Sequence, residues 1–201
     1  MVVYSDDREL DLQQLNYQRA KEIRSGQLKL LKTGSGKVPA ATALAGYLSS
    51  SLRLGKSNPP QVISVGLAVT SEWTMVGMLY TPWVAIDRDE ATDELLIRGL
   101  SPAPVVKLDG LPPHSIASGD NLDISSAEVM RLRERDVHVM DVDSHALGWV
   151  SIRCLTGRAK SVRYVTHEVG TTPKSWEKTY IQASQKLTAE VLQLTAEEPS
   201  A

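Results

Sequence analysis

The sequence predicts an α+β fold: a compact β-rich core, antiparallel or mixed in its sheet, with N-terminal helical segments and a long C-terminal amphipathic helix. Three observations carry this expectation. Between residues 61 and 168, short apolar runs rich in branched and aromatic residues follow one another with turn signals between them. Before residue 60 the pattern is helical and basic. From Trp176 onward, apolar residues recur at helical spacing. A chain of 201 residues with 42% apolar side chains is long enough for one well-filled core. Phe is absent, so four Trp and six Tyr must supply the large aromatic packing.

Taken in order, residues 11–32 (DLQQLNYQRAKEIRSGQLKLLK) favour helix. Asp11 is placed to cap its start, and Leu12, Leu15 and Ile23 partly share a face. Ser25 and Gly26 interrupt the run, which predicts one bent helix or two short ones. TGSGKVP is a break, and PAATALAGYLSSSLRL reads as a second helix from near Pro39 to Gly55. Residues 1–60 are therefore expected to form a basic helical arm or subdomain, and residues 61–201 the β-rich core with its C-terminal helix. After the linker GKSNPP, the runs VISVGLAV, WTMVGMLY, WVAID and ELLIRGL are spaced as a meander, with DRDEATD as a polar turn. VVKLDG adds an edge strand, and LPPHSIASGDN reads as an exposed loop. Asp123, Ser125 or Ser126 caps a short helix containing AEVMRLR. DVHVMDV, GWVSIRCL and SVRYVTHEV supply the later strands, with TGRAK as a hairpin tip between the last two. In the final helix Trp176, Tyr180, Ala183, Leu187, Val191 and Leu194 form one apolar stripe. That stripe is expected to cover the sheet or to bind a partner.

The net charge of −2 hides a partition. Residues 12–60 hold eight bases and one acid, whereas residues 61–130 hold ten acids and three bases. Such asymmetry steers a polyanion to one end, joins one copy to another, or is neutralised within the fold. The candidate polyanion contacts are Arg19, Lys21, Arg24, Lys29, Lys32, Lys37, Arg53 and Lys56, with a second group of Arg158, Lys160 and Arg163. No zinc finger, KH loop or paired RRM aromatic motif accompanies them. RNA or DNA, an anionic membrane surface and a second copy of the chain are the expected partners.

Several classes are disfavoured. Cys154 is the only cysteine, so an intrachain disulfide and paired-thiolate zinc sites are excluded. The start of the chain turns acidic after four residues, unlike a signal peptide. Residues 62–86 carry Glu72 and Pro82 and read better as strands than as a membrane span, so no transmembrane segment is expected. GSGK at residues 34–37 and LGKS at 54–57 each lack part of a phosphate-binding loop.

The stretch HVMDVDSHALGWVSIRC concentrates acids, imidazoles and the thiol. If it were extended, Asp141, Asp143 and His145 would share a face and suit Mn²⁺, Mg²⁺ or Fe²⁺. The turn character of DSHALG instead favours a polar tip with Asp143 or Ser144 bonded to backbone amides. Cys154 alternates with Val150 and Ile152, as a buried small hydrophobe does. The expected function is a non-enzymatic, capsid-like or matrix-like assembly protein that self-associates, intracellular and either soluble or peripherally bound, with no cofactor. A nucleic-acid-binding module and a metal-dependent enzyme built on Asp141, Asp143 and His145 are the alternatives.

Overall fold

The computed structural model describes residues 1–53, 61–89, 105–153 and 158–196. Their element order is β1 (Val2–Tyr4), α1 (Leu12–Gln18), α2 (Ala20–Ser25), β2 (Leu30–Lys32), α3 (Lys37–Arg53), β3 (Val62–Thr70) and a 3₁₀ turn (Trp73–Met75). There follow β4 (Leu79–Tyr80), β5 (Pro82–Asp87), β6 (Val106–Lys107), β7 (Leu111–Ser118), α4 (Ser126–Glu134), β8 (Val139–Asp141), α5 (Ser144–Arg153), β9 (Ala159–Glu168) and α6 (Trp176–Ala196). The α+β class is as expected, and the sheet is mixed.

Strand β3 organises the molecule. It is parallel to β1 through Val2–Ile63 and parallel to β9 along its whole length, while its end meets β8 antiparallel through Val69–Met140. From there the sheet continues β8-β7-β5-β6, with β7 parallel to both β8 and β5. Nearly every β3 residue is buried, because both faces of the sheet are covered. Parallel neighbours require crossover connections, so the expected meander is replaced by helical crossovers. On one face α6 seats Ala183, Leu187 and Val191 against Val2, Ile63, Val65 and Val162. On the other, Leu44 and Leu48 of α3 meet Leu147 of α5 over Val3 and Val62. Segment 1–60, set apart in sequence by its charge, thus places its first strand inside the sheet.

Several local expectations change. Asp11 caps α1 by accepting from the Gln14 amide, and Gly26 in a left-handed conformation (φ 77°) ends α2. Residues 30–32 then form a strand rather than more helix. WTMVGMLY is a 3₁₀ turn, a left-handed Gly77 and the two-residue β4. LPPHSIASGDN is not a loop: Ile116, Ala117 and Ser118 lie buried in β7, and both prolines sit at its exposed outer end.

GWVSIRCL is not a strand either. Its described part belongs to α5, whose buried residues include His145 and, at helical spacing, the four residues Ser144, Leu147, Gly148 and Ser151. Three of those four are small or polar, so hydrophobicity does not reveal the face that packs. A β-carbon at Gly148 would stand 2.6 Å from Val106 Cγ1, which shows how closely α5 approaches the sheet. Helix α5, not a hairpin, therefore precedes β9. GKSNPP, ELLIRGL, most of DRDEATD and Cys154 lie outside the described residues. Among the described residues no helix is long and apolar enough to cross a membrane.

Candidate active site

The site begins where β1 ends. There the chain folds over itself, and the Glu9 carboxylate accepts from the Ser5 amide (2.9 Å), the Ser5 hydroxyl (2.8 Å) and the Asp6 amide (3.1 Å). Glu9 is only 4% exposed, and burial pushes its carboxyl pKa up. Across from it lies Arg163 of β9, fully buried. Gly66 of β3 makes room between them: a β-carbon there would sit 3.3 Å from Arg163 Nη1 and 3.5 Å from Glu9 Oε1.

Arg163 is held from both sides. Its Nε donates to Asp141 Oδ2 at 2.6 Å, and its Nη2 donates to Asp143 Oδ1 and to Ser64 Oγ (2.8 Å). Asp141 also accepts from Ser118 Oγ (2.6 Å), the Ser144 amide (3.1 Å) and Ser144 Oγ (2.5 Å). Both oxygens of Asp141 are thus satisfied by donors, the guanidinium among them. Burial opposes the charge of Arg163, but Asp143 and Asp141 outweigh it and keep the side chain protonated. Burial likewise raises the Asp143 carboxyl, to about 7, with Asp141 and Glu9 adding to the rise and Arg163 opposing it. Three carboxyl groups thus surround one cation in a dry interior, which favours keeping a proton on Glu9 or Asp143.

Glu9, Gly66, Asp143, Thr166 and His167 line a cavity of about 330 Å³. It lies toward the carboxyl ends of the parallel strands β1 and β9, the side on which open α/β sheets place their ligands. The last two residues owe their position to a bulge. Val165 pairs with Ala68 and His167 with Val69, so Thr166 is the extra residue and the strand is turned locally. The Thr166 hydroxyl donates to Ala68 O (3.0 Å), which leaves its oxygen to accept from His167 Nδ1 at 2.7 Å. The neutral ring then carries its lone pair on Nε2. Burial lowers the His167 pKa.

Aromatic residues form the mouth. Trp176 meets His167 edge to face, with centroids 5.5 Å apart, and Tyr180 lies 5.9 Å from Trp176. The Arg8 guanidinium sits 4.2 Å from the Tyr180 ring centre while pairing with Asp6. Leu122 closes the remaining side, on a segment fixed by Arg88, which bonds to Glu128 (3.0 Å) and to Asn121 O. Lys37 braces the same region through Asp87 (3.0 Å) and Asp89 (2.6 Å).

The proposed metal triad does not assemble. Strand β8 ends at Asp141, so the side-chain parity argument lapses; Asp141 and Asp143 both turn onto Arg163, and His145 lies in the first turn of α5 with Nδ1 3.8 Å from Asp87. Among the described residues no group of three or more His, Cys, Asp or Glu could hold a metal ion. The basic residues are likewise dispersed. Arg163 is in the core; Arg19 donates to Leu192 O (2.6 Å) and pairs with Glu22 (3.5 Å); Lys32 pairs with Asp7 (2.5 Å); and Arg158 pairs with Asp109 (3.2 Å). Lys21 and Arg24 are exposed on α2, Lys29 lies just before β2, Lys160 is half-buried on β9, and Arg53 is the last residue of α3. Lys56 lies outside the described residues. Folding thus sets several of the bases against acids of the same chain, which leaves the nucleic-acid alternative without a basic face to support it. In the C-terminal stripe, Ala183, Leu187, Val191 and Leu194 pack inward, while Trp176 and Tyr180 line the cavity.

No motif in the sequence marks Glu9, Gly66, Thr166 and His167 as a site, although two signals are present. A glycine inside an apolar strand marks close approach, and an arginine inside SVRYVTHEV demands a buried partner.

No protein-family model matches the chain, and no curated protein sequence matches it. Solved structures do. A 5′-methylthioadenosine/S-adenosylhomocysteine nucleosidase from Campylobacter jejuni superposes with a TM-score of 0.73 at 14% identity, covering 98% of each chain. The nucleosidase from Neisseria meningitidis, in complex with methylthio-immucillin-A, has a TM-score of 0.66 at 16% identity over 95% of each chain. That from Colwellia psychrerythraea, in complex with adenine, has a TM-score of 0.64 at 12% identity, covering 95% of this chain and 91% of that one. This likeness overturns the expectation of a non-enzymatic, capsid-like or matrix-like assembly protein. Over nearly its whole length, the chain has the fold of these nucleosidase enzymes.

Proposed function

We propose that this protein is a nucleoside hydrolase: it cleaves the N-glycosidic bond of a purine nucleoside with water, in the 330 Å³ cavity. The observation that carries the reading is the pair of buried carboxyl groups with raised pKa, Glu9 and Asp143, beneath an aromatic mouth. The structures of similar fold are named for 5′-methylthioadenosine and S-adenosylhomocysteine, and these are the first substrates to test.

Cleavage of a glycosidic bond passes through an oxocarbenium-like sugar, so the protein must stabilise positive charge and deliver water. Glu9 is the general base: it takes a proton from water as the oxygen attacks the anomeric carbon. Burial raises its pKa, which makes it the stronger base. Asp143, fixed by Arg163, hydrogen-bonds the sugar hydroxyls and holds the anomeric carbon in place for the water activated by Glu9. The bond electrons leave with the base. His167, oriented through Nδ1 by Thr166, faces the departing ring nitrogen with Nε2 and donates a proton there when charged. The aromatic mouth supplies flat apolar surface for the purine.

The test is chromatographic: purified protein is incubated with 5′-methylthioadenosine, S-adenosylhomocysteine or adenosine, and free adenine is quantified. Adenine release by the wild type and its loss in Glu9→Gln is the expected result; no release from any purine nucleoside overturns the reading. Self-association also remains a proposal. It is supported by the exposed Trp83, Val105 and Leu111 near the β5-β6-β7 edge and is tested by light scattering.

A further inference from the structure

A second concavity, of about 960 Å³ and open to solvent, adjoins the first; Thr166 and His167 wall both. Its far side is Trp73, whose side chain is left 74% exposed, and its rim carries Lys174 and Lys178. Among the described residues, Glu168 is its only acidic lining residue. Lys32, Lys37 and Arg158 each pair with an acid, whereas neither rim lysine has an ion pair among the described residues. The concavity is therefore cationic, with an indole available as a flat platform.

Its position gives it a ligand. With the sugar over Glu9 and Asp143, the group facing His167 is the departing base, and anything attached to the outer edge of that base passes His167 into the second concavity. We infer that the substrate is a purine nucleoside whose base bears a carboxylate-carrying substituent, with the linker on Trp73 and the carboxylate on Lys174 and Lys178. This inference rests on the nucleoside-hydrolase reading and specifies its substrate class.

The experiment compares kcat/KM for adenosine, for adenosine carrying a carboxymethyl group on its exocyclic amine, and for adenosine 5′-monophosphate. It uses wild-type protein and the double variant Lys174→Ala/Lys178→Ala. The expected result is an advantage of about tenfold or more for the carboxymethyl compound over adenosine, as for a charge-assisted contact. That advantage falls to near parity in the double variant, while adenosine turnover is unchanged. No advantage, an advantage that survives loss of both lysines, or a lysine-dependent preference for the 5′-phosphate instead would overturn the inference. If no nucleoside is cleaved, the hydrolase reading fails separately, and calorimetric binding of the same compounds decides the second concavity. Tighter binding of the carboxymethyl compound that depends on both lysines supports it; equal binding overturns it.

Discussion

At the scale of single residues, the interior around Arg163 sets both stability and chemistry. Asp141→Asn removes one of the two carboxyl groups paired with the buried guanidinium. The expected cost is about 3–5 kcal/mol, read from urea denaturation, because a broken buried pair strands its partner. Glu9 and Asp143 act in the opposite sense. Their folded pKa values lie above the unfolded ones, so between about pH 4 and the Asp143 value of about 7 the native state holds the extra proton and stability falls as pH rises. His167, whose pKa is lowered, works against this trend. Comparing Glu9→Gln with wild type cancels the His167 contribution, and the variant should gain stability relative to wild type as the pH rises above about 4. A constant difference would show that the fold does not raise the Glu9 pKa.

At the scale of elements, legibility followed how each helix or strand buries itself. Helix α6 was readable because Ala183, Leu187 and Val191 are apolar and keep one face, and Leu187→Ala is expected to cost about 2–5 kcal/mol in thermal or urea unfolding. Helix α5 reads as a strand in the sequence because Ser144, Gly148 and Ser151 supply most of its buried face, and smallness rather than apolarity fits it to the sheet. Gly148→Ala tests that point. Alanine favours a helix by about 1 kcal/mol over glycine, yet here its β-carbon meets Val106 and Leu108, so a net loss of about 1–3 kcal/mol is expected in the same assay. A gain in stability would mean the contact relaxes freely. Strand β7 was hidden by its two prolines, which mark only its exposed end.

At the scale of the whole molecule, the charge partition was visible in sequence but its destination was not. Lys37 of the basic segment meets Asp87 and Asp89 of the acidic centre, and Lys32 meets Asp7, so much of the asymmetry is resolved inside one chain. The candidate site is equally non-local. Glu9 and Asp143 follow the ends of β1 and β8, Gly66 lies within β3 and His167 near the end of β9, and no spacing in the sequence joins them. The cluster around Asp141 and Asp143 is visible in the sequence, whereas its partner Arg163 reads there as a surface base and is buried in the fold. What brings these residues together is the parallel pairing of β1, β3 and β9, a long-range property that periodicity does not encode. The most direct test of the hydrolase reading is to incubate the protein with 5′-methylthioadenosine in ¹⁸O-labelled water and analyse both products by mass spectrometry. The reading predicts free adenine and a sugar carrying one labelled oxygen at its anomeric carbon, formed about 10²- to 10⁴-fold more slowly by a folded Glu9→Gln variant. Unlabelled sugar, or equal rates in wild type and variant, would contradict it.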